Sequence, residues 1–293
     1  MHIETRGVKI FKWFNYVILS LISLACLYPM LYVVFVAFSS PNQFMAHSGA
    51  LWLPLGFSLS SFQAVFNNPN VWSGYRNTLW ILAVGIPINI FMTLLGAYFL
   101  SRRGVLFWRP IMLLILFTMY FSGGMIPGYL LVARTLGLLN SRWAVILPGA
   151  ISTFNMIILR TAMSSVPPSL EESAKIDGAN HFIILFRIML PLVMPTIAVL
   201  ILFYGINHWN SWFGAMLYLH RRELFPLQLI LREILVANDV GMGLEGVDLG
   251  DREMIAQTIQ YAVIVVATVP ILALYPFLQR FFVKGVMVGA VKG

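Results

Sequence analysis

The sequence predicts an all-α integral membrane protein with about six transmembrane helices, and three observations carry that prediction. Of its 293 residues, 59% are apolar and only 10% are charged, where a soluble globule usually carries about a quarter charged residues. The mean hydropathy is +0.84. Six stretches, 16–38, 77–100, 110–133, 143–159, 188–206 and 254–277, contain no Asp, Glu, Lys or Arg. A helix needs roughly 20 mostly apolar residues to cross the hydrocarbon core, so each window marks one crossing.

Taken in order, the spans are drawn at about 16–38, 77–100, 110–133, 143–163, 184–206 and 254–279. The first follows Arg6, Lys9 and Lys12, a pattern shared with cleavable signal peptides. It has membrane length, however, and Ala37 is followed by Phe38 and Ser39 instead of a small-x-small cleavage site, so it is kept as a span. The outer connection 39–76 has no charged residue before Arg76 and carries Pro41, Pro54 and Pro69, which describes a structured loop against the membrane face. The second outer connection, 207–253, contains Leu227, Ile230, Leu231, Ile234 and Leu235 at helical spacing, the pattern of an amphipathic helix lying flat in the interface. A Gly-rich acidic stretch with Asp239, Glu245, Asp248, Asp251 and Glu253 follows and reads as a solvated loop.

Six spans put both termini on one side. With that side cytoplasmic, twelve of the nineteen basic residues but only four of the eleven acidic ones lie inside, so the whole net charge of +8 falls there. The opposite topology would violate the positive-inside bias. The same charge needs no nucleic-acid partner to explain it. Cys26, the single cysteine, lies within an apolar run, so the chain builds neither a disulfide framework nor a cysteine metal site.

Ion-coupled carriers place Asp, Glu, His or Arg within their spans. The six windows contain none of these, which points to an energy source outside the chain. No internal repeat of the kind that builds many secondary transporters is visible either. A neutral path lined by amide, hydroxyl and aromatic groups suits sugars, and Asn89, Tyr120, Ser122 and Asn155 are the candidates within spans, beside Thr93 and Thr118. His208, Trp209 and Asn210 at the outer end of span five join them, against the ordinary roles of small polar residues in helix packing and of interfacial Trp as an anchor. Arg76, Arg134 and Arg142 read as interfacial arginines.

The inner segment 165–195 is the most specific. Pro167 and Pro168 end span four; Ser169 with Glu172 three residues later forms a capping box for a short helix over about 170–177. Gly178 allows a sharp reversal, and a second short helix feeds into span five at Pro191 and Pro195. The result is a cytoplasmic helix-turn-helix knob shaped for a partner's groove.

Glu172, Ser173 and Ala174, then Gly178, then Ile188, Leu190 and Pro191 reproduce the spacing of the EAA loop, and the chain thereby resembles the permease subunits of bacterial ABC importers. Asp177, Gly178 and Ala179 match the sugar-importer form; Ser173 replaces the usual alanine, small for small. Segments 74–78, 121–124, 208–211, 226–232 and 283–285 extend the similarity over nearly the whole chain, toward oligosaccharide permeases of the lipoprotein and aldouronate type and most closely the second permease subunit of alginate-oligosaccharide importers. The resemblance implies a single permease domain, 1–293, of the type I importer fold, with a coupling loop at 165–187 whose Glu171, Glu172, Ser173, Ala174, Asp177, Gly178 and Ala179 engage the ATPase. It implies a homologous permease subunit, two cytoplasmic ATPase subunits that bind ATP and Mg, and an extracytoplasmic solute-binding protein docking on the outer loops. The substrate would be an oligosaccharide, alginate or another uronate-containing one, imported across the bacterial inner membrane by alternating access. The permease itself would be no enzyme and hold no cofactor.

Phe121-Ser122-Gly123-Gly124 looks like an ATPase signature loop, but it lies in an apolar span and the chain has no phosphate-binding GxxxxGK[ST] loop. Gly124, Gly128 and Pro127 read instead as a kink or a close helix contact. An intramembrane hydrolase would need a nucleophile beside a base, and the chain lacks a His-Glu-x-x-His motif. An ion-coupled secondary sugar carrier is the remaining alternative.

Overall fold

The computed structural model describes residues 6–102, 105–239 and 257–273. The acidic outer stretch from 240, both ends of the predicted sixth span and the 283–285 tail lie outside these residues. Among the described residues the regular elements are helical, apart from an isolated bridge between Ser39 and Phe57. α1 (Arg6–Ala37) is long and apolar enough to cross a bilayer by itself. Two short helices follow, α2 (Pro41–Met45) and α3 (Ser60–Asn67). α4 (Pro69–Ser101) is the second unbroken span, 33 residues or about 50 Å of helix. Pro29 and Pro87 lie inside α1 and α4 without breaking them.

Three bent helix pairs follow, at the places of the predicted third, fourth and fifth spans. α5 (Trp108–Tyr120) meets α6 (Met125–Thr135) at 106°, α7 (Trp143–Gly149) meets α8 (Thr153–Ser164) at 49°, and, after α9 (Pro168–Ile176), α10 (His181–Leu192) meets α11 (Met194–Asn210) at 83°. Each bend has a local cause. Gly124 takes φ +87 between α5 and α6, which realises the kink expected there. Pro148 precedes the break after α7, and the Ser152 hydroxyl accepts the Asn155 N–H at 3.4 Å to start α8. Pro191 and Pro195 withhold two N–H donors on either side of the third bend. α12 (Phe213–Tyr218), α13 (Leu227–Asp239) and the apolar α14 (Gln257–Ala273) complete the series.

The chain divides into two compact units, Met1–Pro69 with Glu233–Val269 and Asn70–Arg232 with Pro270–Gly293. In the first, α1 buries nothing before Val36. The loop after it is ordered by its own contacts: Phe38 stacks on Phe57 at 5.7 Å, Leu55 N–H donates to Ser39 Oγ at 2.9 Å, and Ser61 Oγ reaches Thr258 Oγ1 at 2.9 Å. In the second, Leu94, Ala97 and Leu100 of α4 form one core with Met156, Leu159 and Met163 of α8, Ala174 of α9, and Ile184, Leu185 and Met189 of α10.

α13 departs from its expected setting. Leu227, Leu229, Ile230 and Leu231 are buried, Leu227 N–H donates to Thr78 Oγ1 at 2.9 Å, and Gly74 leaves only 3.0 Å between the place of an added Cβ and Leu227 Cα. This part of the apolar stripe packs on the protein instead of on lipid, because Gly74 offers a flat helix surface and Thr78 a partner for an otherwise unpaired helix-start N–H.

Candidate functional site

Two places gather the residues singled out above. The first is the knob between spans four and five. α9 begins with Pro168 in its first turn, the position where a missing N–H costs nothing. The expected capping box therefore does not form: Pro167 is the cap residue, and no side chain caps the helix. The helix ends as expected on Gly178, at φ +80, with Ala179 N–H donating to Ala174 O at 2.9 Å and Gly178 N–H to Lys175 O at 3.1 Å. Asn180 caps the next helix, its Oδ1 accepting Ile183 N–H at 2.9 Å.

Within the knob the two glutamates are separated. Glu171 pairs with Arg102, just past α4, and with Lys175 at 3.1 Å, whereas Glu172 points to the surface. Ala174 is buried; Ser173, Asp177 and Gly178 are exposed and Ala179 is half-buried. Ile176 is 87% exposed and Phe182 68%, so the tip presents large apolar side chains that none of the described residues covers. Beneath it lies a cavity of about 530 Å³ whose walls include Tyr98, Arg102, Glu171, Lys175 and His181.

The second place is the break in span four. The carbonyls of Gly149 and Ala150 accept from Asn89 Nδ2 at 2.8 and 3.0 Å, and Ser152 N–H donates to Tyr204 Oη at 3.0 Å. Tyr204 Oη in turn bonds Thr93 Oγ1 at 2.7 Å. Because both carbonyls hold the Asn89 NH₂ group, its Oδ1 faces His208 Nε2 at 2.7 Å and Nε2 is the donor there. These side chains satisfy backbone groups that a broken helix exposes at membrane depth.

Beside the break is a cavity of about 780 Å³ lined by Ser152, Asn155, His208 and Asn210 together with Phe203 and Trp212. Asn155 is buried, yet its amide makes no hydrogen bond to another described residue, so it remains available within the cavity. The structure thus brings Asn155, His208 and Asn210 to one cavity and sets Asn89 behind its wall. Tyr120, 77% exposed, and Ser122 sit at the bend of span three, apart from that lining. Trp209 is buried, 6.3 Å from Tyr75 between ring centres, so it does not serve as an exposed interfacial anchor. His208 is buried within α11, because that helix runs four residues beyond the apolar window.

Arg142 is also engaged: Nη2 donates to Asn77 Oδ1 at 2.8 Å, and its guanidinium lies 5.1 Å from the Trp80 ring centre. Sequence reasoning missed Tyr204, Ser152 and the Arg102–Glu171 pair. It also missed Gly74, Gly85 and Gly96, whose added Cβ atoms would meet Leu227, His208 and Met156. Their spacing of eleven residues, three turns of helix, was a readable signal.

Apolar helices bent around a polar break, with an apolar-tipped knob between spans four and five, fit the class of membrane permeases. No family model matches this chain. It is 41% identical over 289 residues to the polygalacturonan/rhamnogalacturonan transport system permease protein YtcP of Bacillus subtilis, covering 97% of this chain and 99% of that protein. Protein LplC of the same organism is 39% identical, covering 100% and 98%. A chain from the crystal structure of a bacterial ABC transporter that imports the acidic polysaccharide alginate superposes with a TM-score of 0.85 at 31% identity, over 96% of this chain and all of that one. The chain belongs to the permease subunits of bacterial ABC oligosaccharide importers.

Proposed function

We propose that this permease imports uronate-containing oligosaccharides, paired with a homologous permease and driven by two cytoplasmic ATPase subunits that bind ATP and Mg. An extracytoplasmic binding protein delivers the sugar, and both termini face the cytoplasm. The observation that carries the reading is the knob: Ile176 and Phe182 are exposed at its tip while Ala174 and Glu171 root it in the core. A partner that covers these side chains recovers apolar area that water now meets. Glu172, Ser173, Asp177, Gly178 and Ala179 surround that tip and take part in the contact.

The uronate class is supported by two of the relatives above, one of polygalacturonan and rhamnogalacturonan transport and one of alginate import. The cavity at the break is lined by amides and aromatic rings, which suit sugar hydroxyls and pyranose faces. Asn155 and Asn210 offer the hydrogen bonds, and His208, held by Asn89, fixes one wall. As the ATPase subunits approach one another, the knobs move, the bent spans hinge, and this cavity exchanges access between the two sides of the membrane.

The test is uptake into proteoliposomes by the assembled complex, with oligogalacturonate and alginate oligosaccharide as probes. Uptake that requires ATP, the ATPase subunits and the binding protein is expected. Uptake by this chain under an ion gradient alone would restore the secondary-carrier reading.

A further inference from the structure

We propose that Arg102 and Glu171 form the joint through which the coupling knob moves α4, and that α4 carries this movement across the membrane to α13. The proposal rests on the importer reading above and assigns a positioning role to residues outside the sugar cavity.

Its first support is continuity. Among the described residues of the second unit, α4 is the one unbroken span, while the others bend by 106°, 49° and 83° near their middles. A bent pair absorbs a push at its hinge; an unbroken helix passes more of it on, even with the one ladder hydrogen bond that Pro87 removes from α4.

The second support is attachment at both ends. At the inner end the Arg102 and Glu171 side chains are only 14% and 16% exposed. The Arg102 guanidinium lies 4.4 Å from the Tyr98 ring centre and donates from Nη2 to Ser101 Oγ at 3.2 Å, so the cation is held against α4. Tyr98 Oη bonds His181 Nδ1 at 3.1 Å, which ties α10 to the same end. Both helices of the knob are thus fastened to α4. At the outer end Asn77 Nδ2 donates to the Glu223 and Phe225 carbonyls at 2.7 and 3.0 Å, and Thr78 holds the start of α13. Gly74 brings that start into backbone contact with α4. An outer helix and an inner knob therefore share one lever, and binding on the outer face is felt at the ATPase surface through it.

A charge-assisted contact that is mostly out of water is the strong member of this chain of attachments. The experiment measures the ratio of sugar-stimulated to basal ATP hydrolysis in the assembled complex, with binding protein loaded with oligogalacturonate or alginate oligosaccharide. Arg102→Glu should lower the ratio about tenfold, as expected for losing one hydrogen-bonded charge pair. Arg102→Lys should stay within about twofold because the pair survives. The reversed pair, Arg102→Glu with Glu171→Arg, should recover stimulation. If Arg102→Glu prevents assembly, Arg102→Met against Arg102→Lys decides, since a space-filling role would let both work equally. Full stimulation in Arg102→Glu, equal behaviour of Met and Lys, or a reversed pair no better than the single variant would overturn the joint. Failure of the unmodified complex to respond to either sugar would instead overturn the importer reading beneath it.

Discussion

Asn89 and Asn155 look alike in the sequence, each an amide within an apolar stretch, and the structure gives them opposite tasks. Asn89 fastens two carbonyls of the span-four break and the His208 ring, whereas the Asn155 amide faces the cavity without a hydrogen-bond partner among the described residues. Side-chain hydrogen bonds inside membrane proteins average about 0.6 kcal/mol, so Asn89→Leu, which removes three, should cost about 2 kcal/mol. Thermal unfolding in detergent should show that loss, and it should leave Asn155→Ala near the unmodified midpoint. Sugar-stimulated hydrolysis should fall in Asn155→Ala all the same. Polarity at these positions was legible in the sequence, but the partner was not, because a hydrogen bond across sixty residues of chain depends on where the helix breaks. His208 was legible as a candidate, but its burial was not, for a related reason. The apolar window closes before it, yet the helix continues and packing removes it from water.

At the scale of elements, α4 is a packing axis with glycines at its three close approaches. The nearest atom alone does not rank them. A methyl at Gly96 would come within 2.6 Å of Met156 Sδ, the end of a flexible side chain; at Gly74 it would meet Leu227 Cα at 3.0 Å, and at Gly85 the Asn89-held His208 ring at 2.9 Å. Gly74→Ala and Gly85→Ala should each cost about 1–3 kcal/mol, while Gly96→Ala should cost less than about 1 kcal/mol despite the shortest approach. Melting temperatures of the three purified variants check that order. Gly178 differs again, because nothing lies within 4 Å of an added Cβ there and the constraint is its φ of +80. Gly178→Val should therefore insert normally but lose about 1–2 kcal/mol of knob stability, read as faster proteolysis between α9 and α10. The turn at Gly178 was legible from glycine, and the two unbroken apolar helices, α1 and α4, from hydropathy. The bend angles were not, since proline and glycine permit a break without setting its size. The start of α9 was misplaced because Pro168 at the first position outcompetes a hydroxyl cap at Ser169.

For the whole molecule, the distribution of charge and of exposed apolar surface points to the same assembly. The six-span topology gathers the net +8 on one side, and the same topology would put the knob's apolar tip there. Family membership was legible from the EAA spacing and the matching segments, while the course of the polar break and the ties of α4 needed coordinates. The most direct measurement uses a chain with Cys26→Ala and Ile176→Cys, labelled by a membrane-impermeant maleimide in vesicles of known orientation. The account predicts that Ile176→Cys reacts only from the cytoplasmic face and is protected when the ATPase subunits are bound. Labelling from the external face, or unchanged labelling in the assembled complex, would contradict it.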